Sequence, residues 1–241
     1  MEIDILPKTE RAQTHMVFIV VPRFNIMTLI TMIETLRIAN YLAPASIYSW
    51  EVASFDGSKI IASNGMTATI KTANDNLQSA EFVFILGSWG TEHYHNKKLT
   101  AWLRKRVRAG ERICGVELGS YIVARAGLLD GKLATIHWSW LNGFKENFNR
   151  VEVEESLFTL DRKVMTCSGG LAGVDLMLRL IEEINGSSFS GEIADQMLHH
   201  PIRSATSPQR GTMGRSTETM RPLLREAMTL IENNIEEPLT V

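Results

Sequence analysis

Uninterrupted apolar runs alternate along the chain with stretches of helical period. Met16-Val-Phe-Ile-Val-Val-Pro22 and Glu81-Phe-Val-Phe-Ile-Leu-Gly87 are two such runs. Their length suits strands buried on both faces of a parallel sheet. Between them Ile26, Leu29, Ile30, Ile33, Leu36 and Ile38 recur at helical spacing, which predicts a helix over 25–41. Tyr48 to Phe55 reads as a second strand, with Asp56-Gly57 as a turn and Ile60-Ile61 opening a hairpin arm. Leu99, Trp102, Leu103 and Val107 mark an amphipathic helix, with Arg104, Lys105, Arg106 and Arg108 expected on its outside. Arg112 to Val116 is a short strand leading into a helix-like 118–126 that stops at Gly127. Short strands around Asp161-Arg162 follow, then helices from about Leu171 to Ile184 and from about Ser190 to Leu198. This alternation predicts an α/β fold, a mostly parallel sheet with helices on both faces.

The pattern breaks twice. Residues 1–14 are polar and mixed in charge, and read as a loose leader. From Pro201 onward Ser, Pro and Gly replace the apolar period, with Arg203, Arg210, Arg215 and Arg221 making the stretch basic. A linker is expected over 201–221. A last helix over 222–241 carries Leu224, Ala227, Met228, Ile231 and Ile235 on one stripe, with Pro222 suiting its first turn. The main domain is therefore expected over 1–200.

Composition narrows the class. In 241 residues the formal net charge is −2, with 44% hydrophobic and 22% charged residues. That is ordinary for a globular chain, and excludes one that is basic throughout. Two cysteines, Cys114 and Cys167, are too few for a disulfide scaffold. Charged residues interrupt any apolar run near the start, and no stretch has the roughly 20 apolar residues of a membrane helix. No membrane contact is expected, and the cytoplasm is the expected location. No phosphate loop, dinucleotide fingerprint or zinc pattern occurs, so no cofactor is expected. Glu92, His93 and His95 imitate a ligand spacing, but three residues on one loop read better as a solvated turn.

The segment richest in chemistry is Gly115-Val-Glu117-Leu-Gly119-Ser120, between a buried strand and a helix. The spacing Gly-x-Glu-x-Gly is that of a nucleophile elbow, a sharp strand-to-helix turn that exposes its central side chain. The usual occupant is Ser or Cys; this chain has Glu117.

Ala126-Gly-Leu-Leu-Asp-Gly131 and Ala134-Thr-Ile-His-Trp138 resemble the amidotransferase-like domain of many AraC-type transcription regulators. That domain belongs to the PfpI-like superfamily, related to class I glutamine amidotransferases. Glu34-Thr-Leu-Arg-Ile-Ala-Asn40, Thr166-Cys-Ser-Gly-Gly170 and Gly173-Val-Asp-Leu176 match it too, so the resemblance runs from about Met16 to His200. Ala227 to Leu239 resembles the opening helix of an AraC-type DNA-binding domain. The resemblance implies a flavodoxin-like sheet, a homodimer, and DNA contact only through two helix-turn-helix units that do not occur in this chain. Superfamily enzymes place Cys at the elbow and a His nearby; His137 falls at the His position, and Glu34 matches an acidic position beside the nucleophile.

A carboxylate does not replace a thiolate in acyl transfer, so the expectation is a catalytically silent sensor. Glu117 brings negative charge to the elbow. Trp138 and Trp140 follow His137, and Trp89 lies just after a buried strand, where doubly wound folds bind ligands. Aromatic faces and a carboxylate suit a small organic cation. The candidate ligand site is thus Glu117, Trp89, His137, Trp138, Trp140 and Glu34, and the candidate partner is a small cationic metabolite: betaine, carnitine, another methylated amine or arginine. Regulators resembling this chain respond to ligands of those kinds. Other roles stay open: Glu117 as a cap of its own helix, Trp138 and Trp140 as core or interface residues, and His137 as a backbone partner. The competing class is a superfamily hydratase or amidase using Cys114 or Cys167; Cys114, three residues before the elbow, is expected to point away from the pocket. A third class is a dimerisation scaffold that binds nothing.

Overall fold

The structure is a computed structural model that describes residues 13–73 and 77–210. The leader ahead of residue 13 and the helix expected over 222–241 lie outside the described residues. In chain order the elements are β1 (Thr14–Val20), α1 (Ile26–Leu42), β2 (Tyr48–Ser54), β3 (Lys59–Ile61), β4 (Thr67–Thr69), β5 (Lys71–Thr72) and β6 (Phe82–Gly87). Then come α2 (Lys97–Arg108), β7 (Arg112–Glu117), α3 (Gly119–Arg125), β8 (Leu133–Ala134), α4 (Leu141–Asn147) and β9 (Glu152–Val153). The last are β10 (Phe158–Thr159), β11 (Val164–Cys167), α5 (Ala172–Asn185) and α6 (Ser187–Gln196).

Seven strands form one sheet in the order β10-β11-β7-β6-β1-β2-β5. All neighbours are parallel except β10, which runs antiparallel to β11. β3 and β4 make the expected hairpin arm outside that sheet. The apolar runs are buried on both faces because helices cover both. Met16, Phe18 and Val20 join the core that also contains residues of α1, α5 and α6. Val17 and Ile19 face the opposite core, with Leu99 and Leu103 of α2 and Ile122 of α3. No described helix is long and apolar enough to cross a membrane.

Three local expectations are corrected. Arg106 is not on the outside of α2: it is buried, stacks 4.5 Å over Trp102, and pairs with Glu111 at 2.7 Å. Its guanidinium also donates to the carbonyls of Leu77 and Gln78, so long-range acceptors override the helical charge pattern. α6 starts at Ser187, three residues before the predicted start, directly after Gly186. The expected linker does not begin at 201. Residues up to Gln209 belong to the compact unit, and the Ala205 carbonyl accepts from Leu157 N–H at 2.8 Å. Buried Asp175 holds this segment down: its Oδ1 accepts from Arg203 N–H, and its Oδ2 accepts from Arg203 Nη2 at 2.6 Å.

Strand order around β1 fixes where a site can form. The chain goes from β1 to β2 on one side and later to β6 and β7 on the other, so the order reverses between β1 and β6. A crevice opens at the carboxyl ends of strands at such a reversal.

Candidate functional site

A cleft of about 390 Å³ opens there, and its lining comes from the segments just after four parallel strands. Asn25 follows β1, Ser88 and Trp89 follow β6, Glu117 ends β7, and Ser168 to Gly170 follow β11. Short turns at one end of the sheet gather residues that are far apart in sequence.

The turn from β7 into α3 is the elbow read from the glycines. Glu117 is one of three described non-glycine residues at positive φ, with φ of 55°. A left-handed backbone at a residue with a Cβ costs on the order of 1–2 kcal/mol, and surrounding structure must hold it there. Two glycines do so. A Cβ on Gly119 would lie 1.8 Å from the Ile85 carbonyl oxygen, so only glycine lets α3 start so close to β6. A Cβ on Gly169 would lie 2.7 Å from the Glu117 Cβ, so the loop after β11 packs directly on the Glu117 side chain.

Glu117 is 6% exposed and lines the cleft. Its Oε1 accepts from Ser88 Oγ at 2.8 Å, while its buried Oε2 has no hydrogen-bond partner. Burial raises the carboxyl from the usual 4.5 to about 7, and the Ser88 and Asn25 side chains act in the other direction. Asn25 spends its Oδ1 on capping α1, through Met27 N–H and Thr28 N–H. The helix-cap role open to Glu117 is not the one it takes: α3 has no side-chain cap, and the carboxyl accepts from Ser88.

His137 and Trp138 line the same cleft. His137 is half-buried, and its Nδ1 lies 2.8 Å from Ser139 Oγ and 3.4 Å from Ser139 N. Burial lowers its pKa, so the ring is neutral at pH 7. Trp138 lies against the His137 ring at 5.5 Å, and its backbone N–H donates to Gln209 Oε1 at 2.7 Å. Trp89 is 62% exposed at the rim.

Two expected residues are elsewhere. Glu34 is not beside Glu117: it lies on the exposed side of α1 and pairs with Arg37 at 2.7 Å. Asn25 is the residue that enters the cleft ahead of this helix, and among the described residues no second carboxyl lines the cleft with Glu117. Trp140 is outside the cleft lining and packs edge-on against Tyr121, at 6.4 Å and 88°. Both thiols are fully buried. Burial pushes Cys114 well above its usual value and Cys167 up to about 12. Among the described residues no group of three His, Cys, Asp or Glu is placed to hold a metal.

Twelve of the sixteen residues that line the cleft are not among the sequence-predicted site residues, and Ser88, Asn25, Arg203 and Gln209 are polar ones among them. Ser88 shares the Gly87-Ser-Trp-Gly90 turn that nominated Trp89, and Asn25 sits at a helix start, so a local signal existed for both. Arg203 and Gln209 lie in the stretch taken as linker and carry no local signal.

A family model described as the DJ-1/PfpI family matches residues 16–183. The chain is 33% identical to the HTH-type transcriptional regulator GbdR of Pseudomonas aeruginosa, over 97% of this chain and 64% of that protein. It is 31% identical to the HTH-type transcriptional regulator GlxA of Rhizobium meliloti, over 92% of this chain and 69% of that protein. The chain thus spans just under two thirds of GbdR. Among solved structures, an AraC family transcriptional regulator from Pseudomonas putida superposes with a TM-score of 0.71 at 21% identity, covering 76% of this chain and 98% of that one. At that identity the match speaks for the fold.

Proposed function

The chain belongs to the DJ-1/PfpI family, and from that membership and its cleft we propose that it is the ligand-sensing part of an AraC-type transcription regulator, catalytically silent and responsive to a small organic cation. One observation carries the reading: the elbow presents a buried carboxyl with one oxygen unpartnered, where the chemistry of this turn calls for a nucleophile. An unpaired oxygen buried from water costs about 1–3 kcal/mol, and a cation in the cleft removes that cost. Trp89 and Trp138 line the same cleft and offer ring faces to a positive group, at about 1–2 kcal/mol each when desolvated. Methylated amines fit through the rings, and a guanidinium through a pairing with Glu117.

The enzyme alternative needs a thiolate facing the cleft. Cys114 and Cys167 are both fully buried with raised pKa values, which disfavours the thiolate. The similarity to named regulators favours control of transcription as output. DNA contact would belong to a helix-turn-helix domain, and two copies of the sensor would serve paired half-sites. No cofactor enters this reading, and the cytoplasm is where such a regulator meets DNA.

A thermal-shift panel tests it. Glycine betaine, choline, carnitine, dimethylglycine, arginine and neutral analogues are each titrated against the wild type and Glu117→Gln. A ligand at ~100 times its dissociation constant stabilises by ~2.7 kcal/mol, a rise of several degrees for a chain this long. The cations should raise the melting temperature of the wild type and not of the variant. Equal shifts in both would remove the charge argument, and no shift with any probe would favour the scaffold class.

A further inference from the structure

Residues 201–209, linker-like in composition, supply part of the cleft wall. Gln209 lines the cleft and grips the segment that carries His137 and Trp138 into it. Its Oε1 accepts from Trp138 N–H at 2.7 Å. Its Nε2 faces three acceptors: the Ile136 carbonyl at 2.8 Å, the Ser156 carbonyl at 2.9 Å and Thr135 Oγ1 at 3.2 Å. Thr135 is in turn tied to the elbow, since its carbonyl accepts from Ser120 Oγ at 3.1 Å, in the first turn of α3. One amide side chain thus fastens the aromatic wall of the cleft, and the far end of that wall is bonded to the helix that follows Glu117.

What holds this stretch is polar. None of residues 201–210 is buried, and Ala205 alone of 201–209 packs on a hydrophobic core. Its fixed points are Arg203 on Asp175, the Ala205 carbonyl on Leu157 N–H, and the Gln209 amide. A segment held by a few hydrogen bonds with little apolar burial opens far more readily than the core unfolds. Gln209 is also the last residue of the compact unit, so its docking fixes where the chain leaves that unit. We propose that residues 203–209 are a latch coupled to the cleft: docked, Gln209 sets His137 and Trp138 in place for the occupant, and the occupant in turn holds Gln209 docked. The proposal rests on the cation reading and adds how that site reports its occupancy. Gln209 is then a positioning residue that acts through Trp138, and linkage makes the coupling reciprocal.

Native-state trypsin cleavage of the full chain after Arg203, read by mass spectrometry, tests it. Trypsin needs the segment open and the Arg203 side chain released from Asp175. Where opening is fast relative to cleavage, the rate follows the population of the open form. Without ligand, Gln209→Ala loses several hydrogen bonds and should be cut after Arg203 roughly 10-fold faster or more, at a melting temperature close to the wild type's. Glycine betaine, choline, carnitine and arginine are then added at saturation. A probe that binds should slow the wild-type cut by about 5-fold or more, the lower end of ordinary coupling, and should slow it far less in Gln209→Ala, where the tie to Trp138 is gone. A merely structural role for Gln209 would leave that slowing equal in both proteins. Equal cleavage of the two proteins without ligand overturns the latch. A probe that binds yet leaves the cut unchanged, or slows it equally in both, overturns the coupling and leaves the cation reading standing. Failure of all four probes to bind overturns the cation reading and the coupling with it. If Gln209→Ala melts far below the wild type, Gln209→Asn, one methylene shorter, takes its place.

Discussion

Replacing Glu117 by Gln should make the empty protein more stable, and increasingly so as pH rises. The carboxyl is held in the folded chain at about 7 instead of the usual 4.5, because burial disfavours its charge. Between those values the folded state keeps a proton that the unfolded state has released. Stability therefore falls as pH climbs through that window and levels off above about 7. At 1.36 kcal/mol for each tenfold change in proton affinity, the full cost is about 3 kcal/mol. Gln is close in shape, carries no charge, and keeps an oxygen that accepts from Ser88. At 2–4 °C per kcal/mol for a chain this long, the variant should melt roughly 6–12 °C above the wild type at pH 8.5. Near pH 5 the two should nearly coincide. Scanning fluorimetry of both proteins across pH 5 to 8.5, without added ligand, is the assay, and every other titrating group cancels in the difference. Parallel curves with a constant offset, or a variant less stable at pH 8.5, would refute the reasoning. The direction fits a site that holds a destabilising group for function.

Three further outcomes follow from the same geometry. Gly119→Ala drives a Cβ into the Ile85 carbonyl; circular dichroism melts should show a loss of about 3 kcal/mol or more, and a wild-type melt would mean the elbow can relax. Arg203→Met leaves buried Asp175 with His199 as its side-chain partner and should cost about 3 kcal/mol. Adding Asp175→Asn should recover part of that, and a double-mutant cycle with no coupling would contradict the pairing. Neither Cys114 nor Cys167 should react quickly with iodoacetamide at neutral pH in the folded protein, while both should label in guanidinium; fast single-site labelling of the native chain would revive the enzyme class.

The parts legible in the sequence are those set by local pattern. The run 16–21 sends side chains to two cores, so it could only be a strand covered on both faces. Gly115 and Gly119 around Glu117 announced the elbow, because the backbone demands of that turn are local. What the sequence hid depends on partners far along the chain. Arg106 looked like a surface charge because Glu111 and the Leu77 and Gln78 carbonyls that bury it sit outside its helix. Glu34 matched a motif position, yet it lies on the exposed side of α1. Residues 201–209 have the composition of a linker, and Asp175, held on α5, is what draws them in. A buried carboxylate can order a polar segment, and no periodicity announces it.

The most direct test of the central claim, an acid at the elbow that receives a positive charge, is proton release on binding. The panel member with the largest thermal shift is titrated calorimetrically at pH 7 in two buffers of different ionisation enthalpy. A cation pulls the Glu117 pKa down from about 7, so roughly half a proton should leave per ligand bound, and Glu117→Gln should release none. Binding without proton release, or release that persists in the variant, would contradict the account.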